Sequence, residues 1–251
     1  MKNVIKKLMV PFAGILRMVT AVLCMITKTV NYNMYKFAFF SGKTGKSSRW
    51  FDHDIDVYYL WDKNGETGWL ERGCFSQLAI EMFEMPFVLE LGCGDGFYTK
   101  KFYSKYVNSN NKRRGRVIAC DISKDAIRTA CRKYSGPNIE YMVRDFLHDM
   151  PDGKFTNVVW DASMNFFKES EIRIILAHIK EKLASQKGIL SGSTVLNAKW
   201  EYYRTEFSSP MEVKRILCEY FENVTMRMKG NQLYFYASDG TLPLLFTVRP
   251  K

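Results

Sequence analysis

The chain has 251 residues, enough for one α/β domain with an extension, and its hydrophobic content of 47% is ample for a sizeable core. Its six cysteines include no Cys-x-x-Cys pair and it has only three histidines, which argues against a zinc site or a disulfide framework. The cysteines are therefore expected to be reduced, as in a cytoplasmic protein.

The net charge of +11 is unevenly distributed along the chain. Residues 1–50 carry nine basic side chains and no acidic one, leaving 28 basic and 26 acidic side chains for the rest. Because the folded body is nearly neutral, the charge argues against nucleic acid as the main partner and assigns the basic character to the N-terminal arm.

An apolar segment covers residues 8–26 and is interrupted by Pro11, Gly14 and Arg17. Its length just reaches the roughly 20 residues that a membrane span needs, but an arginine near the centre costs about 2.5–3.5 kcal/mol. The favoured interpretation is a basic helix that contacts the inner surface of an anionic membrane through residues 1–30. A true span, and an extension that is packed on the domain or disordered, are the alternatives.

Residues 41–48 are similar to a phosphate-binding loop but lack the glycine that the Walker pattern requires before Gly-Lys-Ser, so they are interpreted as a flexible linker. The arm and linker thus comprise residues 1–48. Residues 49–86, rich in aromatic and acidic side chains, form a cap, and residues 87–251 form the main domain.

The sequence Val-Leu-Glu-Leu-Gly-Cys-Gly-Asp-Gly at residues 88–96 predicts a buried strand that turns through three glycines into a helix beginning near Phe97. A dinucleotide-binding fingerprint would need glycine at position 97. The observed spacing instead resembles motif I of the class I S-adenosylmethionine-dependent methyltransferases. The resemblance implies that five residues of this stretch bind the cofactor: Glu90, Gly92, Cys93, Gly94 and Gly96.

This resemblance implies an enzyme with a Rossmann-like, doubly wound α/β fold, here with an N-terminal helical extension. Its sheet would have seven mostly parallel strands and a C-terminal antiparallel hairpin, and S-adenosyl-L-methionine would be the cofactor. In this family the segment before motif I often forms a lid over the cofactor and part of the acceptor pocket. Tyr58 and Trp69 are therefore candidates for substrate contact, and His53 is a candidate catalytic residue.

The second predicted strand, residues 117–120, ends in Asp121, where the family has an acid that accepts hydrogen bonds from both ribose hydroxyls. Ile122 is assigned to the same site. Ser123 is expected to cap the helix that follows.

The third and fourth predicted strands, residues 139–143 and 155–161, are also followed by candidate site residues. By resemblance, Asp145 reads the adenine amine and the main-chain N–H of Phe146 reads a ring nitrogen. Ligands of open α/β sheets bind outside the carboxyl ends of the strands where strand order reverses. Asp161 and Asn165 are therefore expected to face the methyl donor and the acceptor, with Asp161 also in the cofactor site.

The remaining elements are a helix over residues 171–183, a strand over 188–193, a helix over 210–221 and a hairpin of strands 223–228 and 232–237. An antiparallel pair at the end of the chain is typical of the methyltransferase fold and not of the dinucleotide-binding dehydrogenases.

Methyl transfer from a sulfonium requires alignment of the acceptor and no metal. If the acceptor is a hydroxyl, a base helps to remove its proton, and the candidates are Asp161, His148 and His53. The expected acceptor is a small molecule, or a glycan or lipid-linked compound handled at the cytoplasmic face of the membrane. Two alternatives are an RNA methyltransferase that holds phosphates through the arm and residues 112–114, and a catalytically silent S-adenosylmethionine-binding module.

Overall fold

The computed structural model describes residues 15, 18–23, 25–26, 69–104, 115–199 and 202–243. The predictions for His53, for Tyr58 and for the loop at 112–114 lie outside the described residues. In the arm, the described residues are helical. Among all the helices that the structure describes, none has the length and apolar character that a bilayer span requires.

Within the described residues, seven strands form one sheet in the order β3-β2-β1-β4-β5-β7-β6. The strands are β1 (Phe87–Leu91), β2 (Arg116–Asp121), β3 (Ile139–Val143), β4 (Asn157–Asp161), β5 (Ile189–Val195), β6 (Asn223–Lys229) and β7 (Gln232–Ser238). The first five are parallel, whereas β7 runs antiparallel to both β5 and β6. The predicted doubly wound sheet with a closing hairpin is confirmed.

From residue 69 onward, the described residues form four α-helices: α1 (Trp69–Glu81), α2 (Lys124–Lys133), α3 (Glu169–Lys182) and α4 (Pro210–Cys218). The helix after β1 begins at Phe97, as predicted, and continues with π-helical geometry over Thr99–Tyr103. Ser123 caps α2 as expected, since its hydroxyl accepts a hydrogen bond from the Ala126 N–H at 3.2 Å.

The core lies on both faces of the sheet because neighbouring residues of each central strand point to opposite sides. Leu89 and Leu91 of β1 belong to the same buried cluster as Ile172 and Ile175 of α3. Val88 belongs to a second cluster, with aromatic side chains of the helix after β1. Layers on both faces explain why β1 is a nearly continuous apolar run.

The helix α1 packs on this sheet, although it lies in the segment interpreted as a cap. The Phe75 ring stacks on Tyr236 of β7, with centroids 3.9 Å apart and planes 8° from parallel. The Tyr236 hydroxyl donates to the Phe75 carbonyl at 2.6 Å, and Asn157 Nδ2 of β4 donates to the Ala79 carbonyl at 3.0 Å. The sheet and α1 therefore form one structural unit.

Replacing Phe75 by alanine is expected to lower the free energy of unfolding by about 3–5 kcal/mol, because it removes a buried ring from the contact between α1 and β7. Urea unfolding followed by circular dichroism measures the change. Leu78→Ala is the matched control, since Leu78 lies on the same helix with 41% of its surface exposed; the expected loss is about 0.5 kcal/mol. Equally small losses for both variants would show that α1 does not unfold together with the sheet.

Candidate functional site

The turn after β1 is built from three glycines in the left-handed region, with φ of 74° at Gly92, 56° at Gly94 and 81° at Gly96. A Cβ on Gly96 would lie 2.7 Å from the Tyr141 hydroxyl and 2.8 Å from Ala130 Cβ, so packing also requires glycine there. A Cβ on Gly94 would meet no atom of the described residues within 4 Å. The turn is thus closed at Gly96, whereas space is open at Gly94 for a ligand to approach the main chain.

Asp121, at the end of β2, is tied to this turn. The Gly94 N–H donates to Asp121 Oδ2 at 3.0 Å, and the Ser123 N–H donates to Oδ1 at 2.8 Å. Burial raises the pKa of Asp121, and these two hydrogen bonds oppose that shift. A carboxylate has about four lone-pair sites, so Asp121 can still accept hydrogen bonds from a pair of ligand hydroxyls.

Two apolar side chains lie exposed beside Asp121. Ile122 follows it directly and is 67% exposed; Val143 pairs with Asp121 in the register of β2 and β3 and is 39% exposed. Exposed apolar side chains next to a partly buried acid can receive a flat, apolar ring on one side and its polar substituents on the other.

The loop after β3 places Asp145 and Phe146 differently from each other. Asp145 accepts a hydrogen bond from the Leu147 N–H at 3.2 Å, and its Oδ2 lies 2.8 Å from Nδ1 of His148. The Phe146 side chain is buried and packs against Phe167, with ring centroids 5.3 Å apart. The Phe146 ring is therefore part of the core, and the role of its main-chain N–H in adenine binding remains a prediction.

Glu90 lies beneath the turn. Its side chain is buried, and the Thr99 hydroxyl donates to its Oε2 at 2.6 Å. Burial raises the pKa of Glu90 to about 8, while the hydrogen bond from Thr99 opposes the shift. The side chain connects β1 to the helix that follows, so Glu90 supports the turn from inside, and its contact with the cofactor stays a prediction.

The raised pKa of Glu90 makes stability depend on pH. Between the ordinary glutamate pKa of 4.5 and the folded value of about 8, the native state retains a proton that the unfolded chain has lost. Unfolding then releases a proton, so stability falls as pH rises, by up to about 1.4 kcal/mol per pH unit. We expect Glu90→Gln to abolish this decline in urea unfolding between pH 5 and pH 8, measured without ligand.

The control for this experiment is Glu84→Gln, which removes an exposed carboxyl group near the end of α1 and should preserve the decline. A Glu90→Gln variant whose stability follows the same pH dependence as the unmodified protein would contradict the raised pKa.

Asp161, at the end of β4, is held by an arginine that the sequence analysis missed. Arg72 of α1 donates from Nε at 2.9 Å and from a terminal nitrogen at 2.6 Å, both to Asp161 Oδ2, and the Ser193 hydroxyl donates to Oδ1. Gln232 of β7 donates in turn to the Ser193 hydroxyl at 2.7 Å. The guanidinium lies 5.1 Å from the centre of the Tyr98 ring. These contacts join α1, β4, β5 and β7 at one edge of the site.

The pairing decides how Asp161 can act. Burial alone would lower the pKa of Arg72, but the carboxylate of Asp161 more than offsets it and the pKa is raised. Both oxygens of Asp161 are hydrogen-bonded, Oδ2 to Arg72 and Oδ1 to the Ser193 hydroxyl, so Asp161 is suited to orienting groups at the end of β4. Its role as a general base stays a prediction.

Asn165 has no capacity left for a substrate. Its Nδ2 donates to the carbonyls of Val195 at 3.1 Å and Thr205 at 3.2 Å, while its Oδ1 accepts from the Thr194 hydroxyl and the Val195 N–H. Only 2% of the residue is exposed. The predicted contact between Asn165 and the acceptor is therefore corrected. The Asn165 side chain instead connects the turn Met164–Phe166 to β5 by hydrogen bonds.

The other candidates are placed as follows. The His148 side chain is 74% exposed and faces Asp145 in the loop after β3, so a catalytic role for it stays a prediction. Trp69 is the first residue of α1, and its side chain is outside the described part of the structure.

Cys93 is buried, and burial raises the pKa of its thiol well above the ordinary value. Among the described residues, no group of three or more histidine, cysteine or acidic side chains could hold a metal ion.

Comparison with known proteins agrees with this geometry. Residues 88–186 match the family model of a methyltransferase domain. Over 100 residues the chain is 28% identical to malonyl-[acyl-carrier protein] O-methyltransferase 2 of Ilyobacter polytropus, which corresponds to 39% of this chain and 35% of that protein. The chain thus spans about a third of the length of this curated relative.

Solved structures show the same fold at low sequence identity. A complex of DhpI with S-adenosylhomocysteine superposes with a TM-score of 0.59 at 18% identity, covering 79% of this chain and 94% of that one. The N-methyltransferase NodS of Bradyrhizobium japonicum, also in complex with S-adenosylhomocysteine, gives a TM-score of 0.57 at 18% identity and covers 78% and 97%.

The glycine turn, the acid after β2 and the order of the seven strands define a Rossmann-like methyltransferase fold. Together with the family match, these features confirm the resemblance to the class I methyltransferases that motif I indicates. Residues 88–186 are thus similar to a methyltransferase domain, and the fold is that of the class I S-adenosylmethionine-dependent methyltransferases.

Proposed function

We propose that this chain is an active methyltransferase that binds S-adenosyl-L-methionine across the carboxyl ends of β2, β1 and β4. The observation that carries the proposal is the position of Asp121, which is anchored by the Gly94 N–H at 3.0 Å and has the exposed Ile122 beside it. An acid and an apolar surface next to an open glycine turn fit the ribose and the adenine of one nucleoside.

The residues present fit both parts of the nucleoside of S-adenosylmethionine, the ribose and the adenine. The ribose hydroxyls would donate to Asp121, which keeps unused lone pairs. The adenine would lie against Ile122, and Asp145, in the loop after the neighbouring strand β3, would accept a hydrogen bond from its amine. When bound, S-adenosylmethionine supplies an activated methyl group, and the chain supplies binding and alignment.

The pairing of Arg72 with Asp161 supports a role in alignment. It fixes the end of β4 against α1 through two hydrogen bonds to one carboxylate oxygen. If the end of β4 is held rigidly beside the methyl group, it can align the acceptor with the carbon–sulfur bond that breaks during transfer. In this proposal Asp161 orients, and removal of a proton from the acceptor does not depend on it.

Transfer of label tests the activity. The purified chain is incubated with methyl-labelled S-adenosylmethionine and fractionated cell extract, and one fraction is expected to take up label. Asp121→Ala should reduce this transfer and weaken binding of S-adenosylhomocysteine by about 10–100-fold, the usual value of hydrogen bonds to a charged group. Calorimetry measures the binding.

Asp149→Ala is the matched control, because it removes an acid that is 64% exposed after β3. Asp121→Asn, which keeps an oxygen that can accept a hydrogen bond, distinguishes loss of binding from loss of the turn, and thermal unfolding of each variant confirms that it folds. Binding by the Asp121→Ala variant equal to that of the unmodified chain would contradict the proposed donor site. Binding without transfer to any fraction would favour a silent binding module.

We further propose that the acceptor is a glycan or lipid-linked compound and that residues 1–30 contact the cytoplasmic face of the membrane. The described helical residues of the arm expose a set of apolar side chains: Ile15, Met18, Val19, Val22, Leu23, Met25 and Ile26. Exposed apolar side chains in a segment with basic and no acidic residues match a helix that lies in the interface of an anionic membrane. Of the relatives named above, one is an O-methyltransferase and one an N-methyltransferase, so they do not agree on the acceptor atom.

Co-sedimentation with vesicles tests the membrane contact. The full chain is expected to bind vesicles containing anionic lipid and to bind neutral vesicles weakly, because each basic residue near the surface contributes about 1 kcal/mol. A chain lacking residues 1–46 should lose this binding while keeping its affinity for S-adenosylhomocysteine. Equal binding by both chains would refute the role of the arm, and tight RNA binding that weakens steeply with salt would favour the RNA methyltransferase.

A further inference from the structure

The near-neutral charge of the folded body conceals a difference between the two faces of the sheet. One face is covered by the helix after β1 and by α2, which contribute buried side chains to the same cluster as Val88. Residues 97–104 and 115–135, which include both helices, carry seven basic and two acidic side chains. One of these acids, Asp121, belongs to the candidate site, so Asp125 alone remains to balance the basic side chains of this stretch.

On the opposite face, where α3 packs, basic side chains are used in ion pairs. Arg173 of α3 lies 2.8 Å from the carboxylate of Glu169 and 2.7 Å from that of Glu219. At the end of the same helix, the Lys182 ammonium lies 2.7 Å from a carboxylate oxygen of Asp152. These charges connect parts of the fold to one another, whereas the basic side chains around α2 outnumber the acids within the same stretch.

The exposed side of α2 carries a row of three basic side chains, Lys124, Arg128 and Arg132, spaced four residues apart. Side chains at this spacing are neighbours on a helix, and like charges there destabilise it. Arg128 pairs with Asp125 at 2.6 Å and is 75% exposed, whereas Lys124 and Arg132 have no ion-pair partner among the described residues.

The helix dipole acts differently on the two ends of this row. It disfavours the cation of Lys124 in the first turn and favours that of Arg132 in the last turn. Repulsion along the row and the position of Lys124 thus work against α2. A partner of opposite charge on this surface would relieve both.

The helix after β1 adds a further exposed charge beside this row. Its Lys100 donates from Nζ to the carbonyl of Ser135, just after α2, at 2.9 Å. The adjacent Lys101 is exposed and has no ion-pair partner in the described part of the chain. The two helices thus present one basic surface, which is defined by four exposed side chains: Lys101, Lys124, Arg128 and Arg132.

The chemistry of the basic surface fits an anionic membrane better than RNA. Proteins that hold single-stranded RNA commonly stack its bases on exposed aromatic side chains. The aromatic residues in and next to these two helices are instead buried: Phe97, Tyr98, Phe102, Tyr103 and Tyr134. Long basic side chains attract anionic lipid headgroups without an aromatic platform.

We propose that the basic surface docks the folded domain on an anionic membrane by contacting the charged headgroups of its lipids. The surface is distinct from residues 1–30 and gives the chain a second membrane contact, although the choice of a membrane over RNA rests in part on the proposed function of the arm. Lys124 lies three residues after Asp121, so the basic surface begins beside the proposed donor site. A lipid-linked acceptor would then meet the chain near the carboxyl ends of the strands.

Co-sedimentation of the full chain with vesicles of phosphatidylcholine and phosphatidylserine tests the basic surface. The double variant Lys124→Gln/Arg132→Gln is expected to weaken binding by about 10–30-fold, because each basic side chain near an anionic surface contributes roughly fivefold. Its affinity for S-adenosylhomocysteine and its melting temperature should change little, which shows that the variant folds.

Lys187→Gln/Lys214→Gln is the matched control. Both lysines are exposed, and they lie after α3 and in α4, which pack on the opposite face of the sheet, so this variant loses the same charge. It should bind the vesicles nearly as the unmodified chain does. Equal losses in the two double variants would show that only net charge matters and would refute the docking surface.

Two further results distinguish this proposal from its neighbours. If Lys124→Gln/Arg132→Gln keeps its vesicle binding but loses binding of an RNA oligonucleotide, measured by fluorescence anisotropy, the partner is RNA and the proposal is wrong. If removal of residues 1–46 leaves vesicle binding intact while the double variant loses it, the proposed contact of the arm fails and the basic surface is supported.

Discussion

The hydrogen bond from the Gly94 N–H to Asp121 is the interaction on which the site depends. It joins the turn after β1 to the end of β2, so the acid proposed to hold the ribose also fixes the main chain of the glycine turn. The left-handed conformation of Gly94 directs its N–H toward the acid and leaves the outer side of the turn open. Binding surface and backbone shape are therefore set by the same contact.

A second set of polar contacts connects this site to the rest of the fold. Arg72 brings α1 to the end of β4, and Ser193 and Gln232 continue the connection to β5 and β7. On the same helix, Phe75 stacks on β7. The helix α1 therefore contacts the carboxyl edge of the sheet at β4 and its face at β7.

Much of the fold was predictable because its signals are local. The strands are apolar runs whose ends are marked by polar or glycine residues, and the closing hairpin has a turn at Gly230 between alternating strands. Three candidate site residues, Gly94, Asp121 and Ile122, lie close together because the carboxyl ends of parallel strands meet at one edge of the sheet. Their positions follow from strand order, which the motif spacing already indicates.

The sequence by itself determined the class of fold, the family and the acids at the ends of the strands, because these depend on spacing and on periodic patterns. The tertiary structure decided what each polar group does. Arg72 and Asp161 are 89 positions apart, and Asn165 is used by main-chain groups of β5, so neither role has a local signal.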